Sequence, residues 1–170
     1  ALLFSFSLQA RKIVVADKTS FQTAFNGGQD KDTIIAKPGV YNFGTALRIP
    51  PTGLIVIKSA NKDSMAIMQM EIQIGDTVPD GKYPKRTSLI FENMHLQGRY
   101  GNMTTASAYI ISLNNKYMSM DTLAFRNCEI SNASRCLIRS GQDKGWHSGE
   151  IDWLEMTNCL VHDMNSRGNV

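Results

Sequence analysis

The chain has 170 residues, 42% of them apolar and 19% charged, with a formal net charge of +3. That length supports one domain with a sizeable core, and the apolar share excludes a disordered chain. The charge is too mild to imply a nucleic-acid partner, and no Lys/Arg run occurs. The three cysteines, Cys128, Cys136 and Cys159, are an odd number, which argues against a disulfide framework, and they form no CxxC pair, which argues against a zinc site.

Taken in chain order, the first stretch is ALLFSFSLQA (1–10), followed by Arg11 and Lys12. It is too short to span a bilayer. Two readings stand open: the tail of a secretory signal, or an apolar cap strand packed on the core. Residues 1–12 are therefore set apart from a single domain over 13–170. Phe21, Ala24 and Phe25 recur at helical spacing, with Ser20 or Thr19 placed to cap the start and Gly27-Gly28 to end the helix. TIIAKPGVY then reads as strand, Pro-Gly turn, strand.

An internal repeat follows. LIFENMHL (89–96), LAFRNCEI (123–130) and LEMTNCLV (154–161) all read Leu-x-Φ-x-Asn-x-x-aliphatic, with Φ a large apolar residue. Their asparagines fall at 93, 127 and 158, in steps of 34 and 31. A fainter copy, LIVIKSAN, starts at Leu54, which is 35 residues before Leu89. Each copy alternates apolar and polar as a strand does, and Asn sits where the alternation breaks, suiting a tight bend. Further strand-like segments, ALRI (46–49), MEIQI (70–74), YIISL (109–113) and CLIRS (136–140), alternate with the copies.

Strand, bend, strand, loop, strand at this period predicts an all-β fold, a right-handed parallel β-helix with a short N-terminal capping helix. Equivalent residues then stack about 4.8 Å apart. Asn93, Asn127 and Asn158 form a ladder, and Met94, Cys128 and Cys159 stack beside it. The cysteines are read as free thiols, small hydrophobes at a repeated position. The polar segments 75–88, 97–107, 114–121 and 140–152 are loops, where binding groups usually reside on a rigid scaffold. No C-terminal cap is legible, so an open edge of stacked strands would associate with more coils or another chain.

The opening resembles the pectin-lyase-like right-handed parallel β-helix superfamily. Its Gly-Asp-Thr-Ile and Pro-Gly-x-Tyr signatures match Asp32, Thr33, Ile34 and Pro38, Gly39, Tyr41, with Lys31 where Gly is usual. The Leu-x-Φ-x-Asn-Cys coils are similar too. Within the superfamily, the chain looks most like poorly characterised β-helix proteins of bacterial polysaccharide-utilisation systems. The resemblance covers about residues 13–165. It implies a secreted, periplasmic or cell-surface protein with a polysaccharide or oligosaccharide partner. It also implies two chemistries: β-elimination beside a uronic acid carboxylate, with an Arg or Lys base and often Ca²⁺, or hydrolysis by clustered Asp residues.

The best local candidate runs from Arg135 to Asp152. Arg135 and Arg139 flank the strand CLIR on one face by parity. The same reading puts Leu137, with its neighbours, on the interior face. As catalytic candidates the two arginines would supply a base or a carboxylate clamp. Read plainly, they are solvated strand charges. Lys144, Trp146 and His147 follow as candidate substrate-binding residues, since a Trp beside basic groups suits sugar stacking with carboxylate pairing. Gln73 and Tyr109 join them along the neighbouring strands. Asp143, Glu150 and Asp152 lack the spacing of an oxygen cage, so Ca²⁺ is implied only by the resemblance. The Asp-rich calcium loop of pectate lyases, the acidic ligands followed by Lys of alginate and chondroitin lyases, and the paired Asp of polygalacturonases are all missing. The expected function is therefore polysaccharide binding. Uronate lyase activity and a structural or adhesive solenoid module are the alternatives.

Overall fold

The computed structural model describes residues 9–44, 46–49, 53–74, 87–98, 109–113, 119–140 and 150–164. One short helix, α1 (Lys18–Asn26), follows strand β1 (Lys12–Val15), and every other described element is a strand. Asp17 caps α1: its carboxylate accepts from the Ser20 amide at 2.8 Å, and Ser20 Oγ in turn lies 3.2 Å from the Asp17 amide. This reciprocal capping box corrects the expected cap at Ser20 or Thr19. Ser20 is the third residue inside the helix, so it completes the box from there. Phe21, Ala24 and Phe25 are buried, and Gly27 ends the helix as its spacing predicts.

The remaining strands fall into three sheets, visited in fixed rotation. The first sheet holds β1, β2 (Asp32–Ala36), β5 (Leu54–Ser59), β8 (Thr87–Glu92), β11 (Ser119–Arg126) and β14 (Glu150–Thr157). The second holds β3 (Val40–Asn42), β6 (Ala66–Gln69), β9 (Met94–Gln97), β12 (Glu129–Ser131) and β15 (Leu160–His162). The third holds β4 (Leu47–Ile49), β7 (Ile72–Ile74), β10 (Tyr109–Leu113) and β13 (Cys136–Ser140). From β2 onward each strand pairs in parallel with the strand three places later. The described residues are thus mostly strand, with parallel sheets and one helix.

In-register pairing turns the sequence repeat into columns. Ile34, Ile57, Phe91, Phe125 and Met156 align on the first sheet, and Ile55, Leu89, Leu123 and Leu154 align beside them. The Phe91 and Phe125 rings stack at 5.5 Å, 7° from coplanar. The column pairs Ile55 with Leu89, which corrects the faint repeat copy by one residue: Leu54 pairs with Ser88. Such a slip exchanges the two faces of a strand, so Ile55 rather than Leu54 is the buried residue. On β14 the columns end in exposed Leu154 and Met156.

The asparagine bends recur as expected. Asn93, Asn127 and Asn158 share a left-handed φ of 53°, 52° and 53°, and Asn158 Nδ2 donates to Asn127 Oδ1 at 2.8 Å. Lys31 also has a left-handed φ of 69°, a conformation in which glycine carries no steric cost. All three cysteines are free, and burial raises the Cys128 thiol to a pKa of about 11.

Candidate functional site

The third sheet carries the predicted residues that fall within the described chain. Its register places Ile138 in line with Ile111 and Ile72. Ile111 and Ile72 are buried, so Ile138 continues an interior column. This corrects the expectation that Leu137, with its neighbours, forms the interior face: Leu137 has the parity of Arg135 and Arg139, and the inward column falls to Ile138, though both pack partly buried against the core. Gln73, Ser112 and Arg139 align in the adjacent column. Ser112 is buried, and its Oγ has no hydrogen-bond partner.

Arg135 and Arg139 meet at Tyr109. The Arg135 guanidinium donates to Tyr109 Oη at 3.2 Å. The Arg139 guanidinium carbon lies 5.1 Å from the centre of the Tyr109 ring, a cation–π arrangement. Both arginines are exposed, and among the described residues neither forms an ion pair with a carboxylate. Tyr109 accepts one guanidinium at its oxygen and another at its ring, so it positions two cations without neutralising them. Its own hydroxyl hydrogen is left to donate outward. Gln73 sits on β7, the strand next to that of Tyr109, half-buried, with Nε2 donating to Glu71 Oε1 at 3.4 Å. Lys144, Trp146 and His147 lie outside the described residues, as do Asp143 and most of the predicted loops.

A second polar group lies on the outward face of the second sheet. Columns Ile67–His95–Glu129–Leu160 and Gln69–Gln97–Ser131–His162 run side by side. Glu129 Oε1 lies 3.3 Å from His95 Nε2 and 3.1 Å from His162 Nε2. His162 Nδ1 faces Asp163 Oδ2 at 2.8 Å. These side chains contact one another directly, and among the described residues no group of three or more His, Cys, Asp or Glu is arranged to hold a metal ion. Sequence reasoning passed over this cluster, although a signal existed. His95 and Glu129 both follow their asparagine by two residues; Gln97, Ser131 and His162 follow theirs by four. Aligning the repeats by asparagine would have placed them in neighbouring columns.

No family model, curated protein or solved structure matches the chain. Among the described residues no helix is long and apolar enough to cross a membrane.

Proposed function

We propose that the chain is a right-handed parallel β-helix of the pectin-lyase-like kind that binds an acidic, uronate-containing polysaccharide outside the cell. The rotation through three parallel sheets supports the winding. Its hand follows from the strong preference of parallel crossovers for the right-handed sense. The observation that carries the binding reading is Tyr109, which holds two guanidiniums that no described carboxylate neutralises. Guanidinium forks match carboxylates in shape and charge. Two of them on one sheet face suit a polymer that presents carboxylates at intervals. Gln73 extends the polar column along the sheet.

Calorimetric titration with oligogalacturonate tests this reading. Binding that is lost in the Arg135→Ala, Arg139→Ala double variant supports it, and no heat at millimolar oligosaccharide refutes it. If unsaturated, ultraviolet-absorbing products form during the titration, β-elimination replaces simple binding as the activity.

A further inference from the structure

The cluster on the second sheet carries an inference independent of glycan binding. We propose that His95, Glu129 and His162 form a single-proton latch that fastens β15 to β12 near neutral pH and releases it as pH rises. The hydrogen-bond directions fix where the proton sits. Gln69 Nε2 donates to Gln97 Oε1 at 3.0 Å, so the amide nitrogen of Gln97 is the end that faces His95. That nitrogen lies 3.2 Å from His95 Nε2, which therefore accepts and carries no hydrogen. Ser131 Oγ also lies 2.9 Å from this nitrogen and accepts from Asn132 Nδ2 at 3.0 Å.

His162 stands in the opposite condition. Asp163 Oδ2 faces its Nδ1 and Glu129 Oε1 faces its Nε2. Ionised carboxylates only accept, so both ring nitrogens must hold protons and the ring is an imidazolium. Glu129 Oε1 is thus bonded by the cationic imidazole alone, and His95 Nε2, 3.3 Å away, holds no hydrogen to donate to it. The titratable groups facing them are His95 from β9, Glu129 from β12 and Asp163 beside β15. The strand beyond, β6, contributes only Ile67 and Gln69 to these columns.

The two histidines titrate in opposite senses. Burial first, and then the charge on His162, holds His95 below the ordinary histidine value, against the opposing pull of Glu129. Hydrogen bonds from Asp163 and then Glu129 hold His162 above it. A raised value means that stability from His162 is full below the unfolded pKa and is lost as pH rises through the folded one. A lowered value means that stability from His95 is full above the unfolded pKa and is lost as pH falls through the folded one. The latch is therefore closed in a window around the ordinary histidine pKa of about 6.5. It acts on a strand whose other two side chains bury little: Leu160 and Val161 of β15 are exposed, at 61% and 40%.

NMR titration of the histidine rings, with amide hydrogen exchange of β15, tests the latch. We expect His162 to titrate above about 6.5 and His95 below it, and Glu129→Gln to lower the His162 midpoint by roughly one unit. Protection of the Leu160 amide, which donates to Cys128 carbonyl at 2.9 Å, should fall several-fold between mildly acidic and alkaline pH. The fall is measured after correction for intrinsic exchange, and it should be absent in His162→Gln. The latch is wrong if the two histidines titrate together, if Glu129→Gln leaves His162 unmoved, or if β15 protection responds to pH identically in His162→Gln.

Discussion

The arginines of the first sheet and those of the third use one side chain for two purposes. Arg126 on β11 is held by Glu155 through two bonds, Nε to Oε1 at 2.7 Å and Nη2 to Oε2 at 2.9 Å, with Glu92 at 3.4 Å. Glu92 and Glu155 lie on the strands either side of β11, so the guanidinium ties three strands together and its charge is spent within the fold. Arg11, ahead of β1, spends its charge on the buried carboxylate of Asp32 in the same way. On the third sheet Arg135 and Arg139 are steadied by Tyr109, which offers an oxygen and a ring but no negative charge. Exposure does not separate the two kinds, because the Arg11 side chain is itself 42% exposed. What separates them is whether the partner neutralises the cation.

The comparison can be broken most severely at Asp32. Asp32→Ala should cost about 2 kcal/mol in urea denaturation, because the buried carboxylate is removed and the Gln29 amide and Arg11 lose the acceptor it supplies. The folded variant should bind oligogalacturonate as the parent does. Next in size, the Arg135→Ala, Arg139→Ala pair should weaken that binding at least about tenfold, the loss of one charged hydrogen bond or more. Its Tm should stay close to that of the parent. Arg126→Met should invert this pattern, lowering Tm by only a few degrees, as expected of a half-exposed network, and leaving affinity unchanged. The smallest effect sharpens the same contrast through pH. Hydrogen bonding to Arg11 lowers the Asp32 pKa, and hydrogen bonding to Arg126 lowers that of Glu155. The stability they add is present above the ordinary carboxylate range near 4 and is lost as pH falls through the lowered values. Thermal melts between pH 5 and 2 should therefore show a shallower acid decline in Arg126→Met than in the parent.

Much of the fold was legible because the bends obey a local rule. Asparagine tolerates the left-handed conformation, so Asn93, Asn127 and Asn158 mark successive turns of the path in the sequence itself. The first and second sheets inherit that spacing: Leu89 pairs with Leu123 and His95 with Glu129, each 34 residues on. The third sheet does not. Ile72 pairs with Ile111, 39 residues on, whereas Tyr109 pairs with Cys136, only 27 on. Connections of unequal length enter before and after each third-sheet strand. The repeat therefore could not reveal that Arg135 and Arg139 converge on Tyr109, although it did place all three near one sheet. The slip at Leu54 has a related cause. LIVI is apolar throughout, so the alternation expected of each copy fails there, and the phase came from pairing with β8.

The most direct test of the account is a titration of one oligogalacturonate and its carboxyl-reduced, uncharged counterpart into the parent protein, Arg126→Met and the Arg135→Ala, Arg139→Ala variant. The acidic sugar should bind the parent and Arg126→Met alike. The uncharged sugar, and either sugar with the double variant, should bind at least about tenfold more weakly. Equal affinity for the charged and uncharged sugars, or equal losses in Arg126→Met and the double variant, would contradict it.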